Sequence, residues 1–153
     1  MQNKRLLSLD ILRGLTIILM IIVNDPGSWS NVYAPLLHAE WNGITPTDYI
    51  FPSFLFIVGV SIVLSMKKQH ESGKSRNELM KKVLWRALKI YAVGIFLWVW
   101  PNFNFEGIRW VGVLPRIAFV YLACALLFLY ASRKTQWYFG ISVILGYWLV
   151  MAY

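Results

Sequence analysis

Long apolar blocks that are almost free of charged residues most limit what this chain can fold into. The segment 49–66 contains no Lys, Arg, Asp or Glu, and the segment 111–132 contains only one charged residue, Arg116. A helix that crosses the hydrocarbon core of a bilayer needs about 20 predominantly apolar residues. Helices on the surface of a soluble protein would instead show an apolar stripe and a polar face. The pattern therefore predicts an integral membrane protein.

The apolar blocks predict the fold class and the number of helices. Hydrophobic residues make up 58% of the 153-residue chain, whereas about half is usual for soluble domains. We expect an all-α, polytopic helical membrane protein with about five transmembrane helices, forming part of a larger bundle. The predicted spans are 9–23, 46–66, 84–100, 111–131 and 137–153. Because the last span is still apolar at its final residue, we expect 1–153 to be the N-terminal portion of a longer transmembrane domain.

The distribution of basic residues predicts how these spans are oriented. Most of the 15 Lys and Arg residues lie before span one, between spans two and three, or between spans four and five. Short cytoplasmic loops are enriched in Lys and Arg, so we expect a cytoplasmic N-terminus and an external loop before span two. The net charge of +8 is then a sign of membrane topology. It predicts contact with the lipid bilayer and no nucleic-acid partner.

A polar cluster with a histidine lies in the loop before span two. His38, Glu40, Trp41, Asn42 and Asp48 fall within eleven positions. An imidazole changes its protonation near neutral pH, so His38 is suited to proton transfer or to attack on a carbonyl. A neighbouring acid can fix the tautomer of such an imidazole. The alternative is an interfacial histidine with a hydrated polar tip, and the residues alone leave both interpretations open.

Three motifs, in order along the chain, carry a resemblance to a known family. They are RLLSLDILRGLTIILMIIVNDPG from Arg5, LLHAEWNGITPTDYIFPSFLFIVGVSIVLS from Leu36, and VGVLPRIAFVYL from Val111. The chain resembles the bacterial relatives of heparan-alpha-glucosaminide N-acetyltransferase, which are multi-span membrane acyltransferases. Members of that family have roughly twice as many spans, so the resemblance concerns their N-terminal half.

The resemblance implies that His38 is the catalytic residue, acting as a base or as a transient acyl carrier. Asn24 would lie near this histidine and donate a hydrogen bond to a developing oxyanion. It would also serve as a helix C-cap before the DPG turn. Asp48 would orient His38, although an acid in the first turn of a helix equally suits the helix dipole.

Further residues have both a binding and a structural interpretation. Trp41 and Asn42 match a WNG motif of the family and would bind the acceptor, but tryptophan is also common at bilayer interfaces. Arg116 lies inside a span, where arginine is costly and usually faces a cavity or a carboxylate, and we assign it to cofactor binding. Asp10 and Arg13 lie three residues apart on one helical face. We favour a helix-locking ion pair for them over a role in cofactor binding.

The resemblance implies an acetyltransferase that uses cytoplasmic acetyl-CoA and modifies an amino sugar or other glycan on the far side of a bacterial inner membrane. No metal-ligand spacing occurs in the sequence, so we expect no metal cofactor. A homo-oligomer is left open. The alternative function is a non-enzymatic membrane protein, such as a transporter subunit or a scaffold, in which small residues allow close helix packing.

Overall fold

The structure, a computed structural model, describes residues 6–40, 42–100, 103, 108 and 110–152, and over these residues it is helical with no strand. The helices are α1 (Leu7–Asn24), a short 3₁₀ helix (Ala34–Leu36), α2 (Pro46–Glu71), α3 (Arg76–Val99), α4 (Val113–Tyr130) and α5 (Arg133–Ala152). The prediction of an all-α protein with five long helices is confirmed.

Three of these helices are long and apolar enough to cross a membrane, namely α1, α2 and α4. Most of the large apolar side chains of α1, and several of those of α2 and α4, are exposed, as expected for surfaces that contact lipid. Helix α3 carries five basic residues, four of them in its first half, and α5 is rich in Trp and Tyr. These two helices do not meet the same criterion, so their role as spans remains a prediction, as does the domain assignment of 1–153.

Helices α1, α2, α3 and α5 extend beyond the predicted apolar spans because polar flanking residues are helical too, whereas α4 lies within its predicted span. The start of α3 shows the reason. Ser75 is the N-cap of this helix, and its side chain accepts a hydrogen bond of 3.3 Å from the backbone N–H of Glu78. A serine followed three residues later by glutamate is a capping-box pattern, so this helix begins eight residues before the predicted span.

The chain divides after Ser61 into two compact units. The first unit contains α1, the loop with the 3₁₀ helix and the first part of α2. A short hydrogen bond joins its two long helices, because the Arg13 Nη2 atom lies 2.6 Å from Ser61 Oγ. Ile50, Ile57 and Thr16 are buried in this unit.

The second unit contains the end of α2 together with α3, α4 and α5, and its core lies between α3 and α4. Leu79, Val83 and Ala87 are buried at four-residue spacing along α3, which is the period of one helical face. The closest approach is at Gly94, where an added Cβ would lie 2.5 Å from Pro115 Cδ and 2.8 Å from Leu114 Cβ. Only a glycine fits on α3 at this contact.

Candidate active site

A direct contact between His38 and Asp48 is the centre of the candidate site. The Nδ1 atom of His38 lies 2.6 Å from Oδ1 of Asp48. His38 follows the 3₁₀ helix in the loop, and Asp48 lies in the first turn of α2. The side chain of His38 is 72% exposed and that of Asp48 is 26% exposed. The histidine is therefore fixed at one nitrogen while most of its ring remains accessible.

The second carboxylate oxygen of Asp48 holds the surrounding backbone. Oδ2 accepts hydrogen bonds from the Thr45 backbone N–H at 2.9 Å, the Thr45 hydroxyl at 3.0 Å and the Ala39 backbone N–H at 3.2 Å. Asp48 is the third residue of α2, and its side chain accepts a hydrogen bond from the backbone N–H of Thr45, the residue before the helix. This is the arrangement of a capping box. One carboxylate oxygen of Asp48 thus accepts hydrogen bonds at the helix start, and the other contacts His38. The catalytic role of Asp48 remains a prediction.

This arrangement defines the tautomer of the imidazole. A carboxylate accepts hydrogen bonds and cannot donate them, and donors that converge on it stabilise its charged form. The Nδ1 atom of His38 therefore carries the proton in the contact with Asp48. The lone pair of Nε2 is left available to take a proton or to attack a carbonyl carbon.

The loop in front of the pair is tied to the same helix start. The hydroxyl of Thr47 donates a hydrogen bond of 3.2 Å to the carbonyl oxygen of Pro35, and Thr47 is buried. Gly43, with φ of +112°, turns the chain towards α2 in a conformation that side chains with a Cβ rarely adopt. Local contacts of residues 35–48 therefore position His38.

Asn24 is the last helical residue of α1, and the C-cap residue is the following Asp25, so the predicted C-cap lies one residue too early. Its Nδ2 atom donates a hydrogen bond of 2.7 Å to the Met20 carbonyl oxygen, one turn back along the helix. This bond uses one of the two N–H donors of the amide. Its contact with His38 remains a prediction. Asn42 is exposed in the loop, and Trp41 lies outside the described residues.

Arg116 lies near the start of α4 in the second unit and is exposed. The preceding Pro115 is in the first turn of α4, where a backbone N–H has no partner within the helix. A proline is tolerated at such a position, and here it packs on Gly94. The role of Arg116 in cofactor binding remains a prediction.

Sequence reasoning missed one polar contact in the first unit. Arg13 bonds to Ser61 across the helix pair, and its contact with Asp10, at 3.4 Å, is longer than usual for an ion-paired hydrogen bond. The predicted locking of helices therefore depends on Ser61 more than on Asp10. The sequence feature that could have indicated this contact is Ser61, a polar residue within the apolar segment of α2. Among the described residues, no group of His, Cys, Asp and Glu could hold a metal ion.

Comparison with known proteins identifies the family. Residues 5–153 match the family model described as heparan-alpha-glucosaminide N-acetyltransferase, catalytic. The chain belongs to this family. It is 39% identical to human heparan-alpha-glucosaminide N-acetyltransferase over 128 residues and 37% identical to the mouse protein over 129 residues. These matches cover 80% and 81% of this chain but 19% of each relative.

Membership confirms the resemblance drawn from the three motifs and supports a membrane acyltransferase. The chain spans about a fifth of the length of the two relatives. The region that matches the family model, residues 5–153, contains both His38 and Asp48.

Proposed function

We propose that this chain forms the part of a transmembrane acetyltransferase that contains the catalytic histidine. The acetyl group moves from cytoplasmic acetyl-CoA to an amino sugar or other glycan acceptor on the opposite side of a bacterial inner membrane. The observation that carries this proposal is the 2.6 Å contact between His38 Nδ1 and Asp48 Oδ1, in a chain that belongs to an N-acetyltransferase family.

In the direct route, Nε2 of His38 acts as a general base. It takes the proton of the acceptor amine or hydroxyl while that atom bonds to the acetyl carbonyl carbon. The C–S bond then breaks, and the imidazolium returns the proton to the departing thiolate of coenzyme A. Asp48 stabilises the imidazolium between these steps, as the acid of a catalytic triad does.

In the covalent route, Nε2 attacks the thioester carbonyl and the thiolate of coenzyme A leaves. The acceptor amine or hydroxyl then attacks the acetyl carbon, the bond between this carbon and Nε2 breaks, and the free imidazole is restored. The proton that the acceptor loses balances the protonation of the coenzyme A thiolate. Asn24 assists either route by donating its second amide N–H to the oxyanion of the tetrahedral intermediate. Trp41 and Asn42 contact the acceptor, and Arg116 contributes to binding of acetyl-CoA.

The proposed orientation follows from charge. The basic residues between the predicted spans two and three lie on the cytoplasmic side, where they attract the anionic donor. The N-terminus lies on the same side, and the loop with His38 lies on the other. The donor and the acceptor therefore approach the site from opposite faces of the membrane.

The test is acetyl transfer from labelled acetyl-CoA to a panel of amino sugars, with membranes that contain the full-length protein. The other histidine of the chain, His70, is exposed in the last turn of α2 and supplies a matched control. His38→Ala should abolish transfer and His70→Ala should retain it. Transfer that survives in His38→Ala at the wild-type rate would contradict the proposal.

A further inference from the structure

The contact between Arg13 and Ser61 is an unusual use of an arginine. Arg13 lies in α1 and Ser61 in α2, and both helices are apolar enough to span a membrane. An ionisable residue at such a depth is costly and normally marks a ligand path or a polar partner. The described partners of Arg13 are one hydroxyl at 2.6 Å and one carboxylate at 3.4 Å.

The guanidinium retains capacity for an anion. It has five N–H donors in a planar fork, and the two described side-chain contacts use two of them. The side chain is 40% exposed. Such a fork is well suited to phosphate, which it binds with two parallel hydrogen bonds. Ser61 holds the guanidinium against α2 and so fixes its direction.

The distance from the candidate catalytic pair to Ser61 is comparable to the length of the pantetheine arm of coenzyme A together with its diphosphate. Asp48 and Ser61 lie 13 positions apart in α2, which is about 20 Å at the helical rise per residue. The pantetheine arm joins its sulfur to the first phosphorus through about 13 bonds, or roughly 15 Å when extended. With the thioester at His38, an extended arm ends about 5 Å before the level of Ser61, and the two phosphates that follow extend the ligand towards the Arg13 guanidinium.

We propose that Arg13, oriented by Ser61, binds the diphosphate of the acyl donor. This inference rests on the proposed function, because it takes the thioester to lie at His38. It assigns to Arg13 a ligand-binding role in addition to its link between α1 and α2. The donor then lies along the α1–α2 pair, with its nucleotide towards the cytoplasmic ends of these helices.

The test compares two donors that differ in the diphosphate. S-acetyl-pantetheine has the reactive thioester and the arm but lacks both phosphates and the nucleotide. Arg13→Gln should raise the KM for acetyl-CoA on the order of 10- to 100-fold, the usual effect of losing hydrogen bonds to a charged group. The KM for S-acetyl-pantetheine should not change. Arg13→Lys, which keeps the charge but loses the fork, should give a smaller increase.

A binding measurement separates this role from catalysis. Isothermal titration of coenzyme A into purified full-length protein should show the same loss of affinity in Arg13→Gln, whereas His38→Ala should bind coenzyme A normally. Arg86→Gln is the matched control, because the Arg86 guanidinium lies over the Tyr121 ring at 5.3 Å from its centroid. This variant should behave as wild type with both donors.

Equal losses with both donors in Arg13→Gln would show that Arg13 only links the helices, and would overturn the inference while leaving the proposed function intact. An effect that depends on anionic lipid in the vesicles would assign Arg13 to a lipid headgroup and would also overturn it. Absence of transfer by the wild-type protein with either donor would instead contradict the proposed function.

Discussion

At the scale of single residues, Asp48 has two tasks that usually fall to two residues. Its Oδ1 contacts the imidazole and its Oδ2 caps the start of α2. The sequence indicated both tasks as alternatives, because a TPTD segment predicts a helix start and a nearby histidine predicts a partner. It could not show that the two oxygens are used separately, since that depends on how the loop returns to the helix.

Replacing Asp48 by Asn tests which task dominates. The amide keeps an acceptor for the helix start but no longer holds the Nδ1–H tautomer or stabilises an imidazolium. We expect transfer to fall about 10²- to 10⁴-fold with little change in thermal stability, by analogy with the triad acid. Rates with labelled acetyl-CoA and melting in detergent measure the two effects. A large loss of stability with an unchanged rate per folded molecule would leave Asp48 as a helix cap only.

Asn24→Ala tests the residue whose predicted contact with His38 is still open. If its second amide N–H serves an oxyanion, transfer should fall by about 10²- to 10³-fold. If Asn24 only ends α1, the loss should appear as a decrease in stability of roughly 1 kcal/mol, the value of a neutral hydrogen bond. Comparison of kcat with the melting temperature distinguishes these results.

At the scale of helices, the apolar pattern predicted how many helices form but not how they meet. The predicted spans 84–100 and 111–131 correspond to α3 and α4. Their close approach at Gly94 and Pro115 depends on the rotation of each helix about its axis. No periodicity in the sequence fixes that rotation near Gly94, because apolar residues surround α4 and the second half of α3. The contact was therefore visible only in the structure.

Gly94→Ala should destabilise the α3–α4 pair. The added methyl group would meet Pro115 Cδ at 2.5 Å, and overpacking of this kind usually costs about 1–3 kcal/mol. Gly140 in α5 has no atom within 4 Å of an added Cβ, so Gly140→Ala should be neutral or stabilising by roughly 0.5–1 kcal/mol. Thermal unfolding of both variants in the same detergent makes the comparison. Equal melting temperatures would contradict the predicted clash.

The connection between α2 and α3 should show a pH-dependent stability. Lys82, through a hydrogen bond and its positive charge, holds the pKa of the Lys74 ammonium below its ordinary value. Between the lowered and the ordinary pKa the unfolded chain binds more protons, so the free energy of unfolding should rise with pH across that interval. Lys82→Gln should flatten this rise, and the difference should shrink in high salt. Melting curves from pH 8 upwards test it.

At the scale of the whole molecule, composition and charge predicted a membrane protein, and three motifs predicted its family. Both conclusions are confirmed. Which amino sugar or glycan serves as acceptor could not be predicted. Its identity depends on the arrangement of the binding side chains, whereas the WNG motif indicates only which residues they are. Sidedness is likewise a prediction from charge, since helices alone have no preferred direction in a bilayer.

Cysteine labelling tests the orientation. In a Cys124→Ser background, Ser30→Cys should react with an impermeant thiol reagent in intact cells, and Ser72→Cys should react only after the membrane is opened. These positions lie in the two connections that flank α2. The reverse pattern would put His38 on the cytoplasmic side and would exclude transfer across the membrane as proposed.

The contact between His38 and Asp48 depends on residues that are close together in the sequence. The described partners of the Asp48 carboxylate all lie within eleven consecutive residues, and they are His38, Ala39 and Thr45. During synthesis this segment can reach its native geometry once the first turn of α2 has formed, before the later helices are made. Substitutions in α3, α4 or α5 should therefore leave the contact between His38 and Asp48 intact. The orientation of the His38 imidazole is therefore set by contacts within residues 38–48.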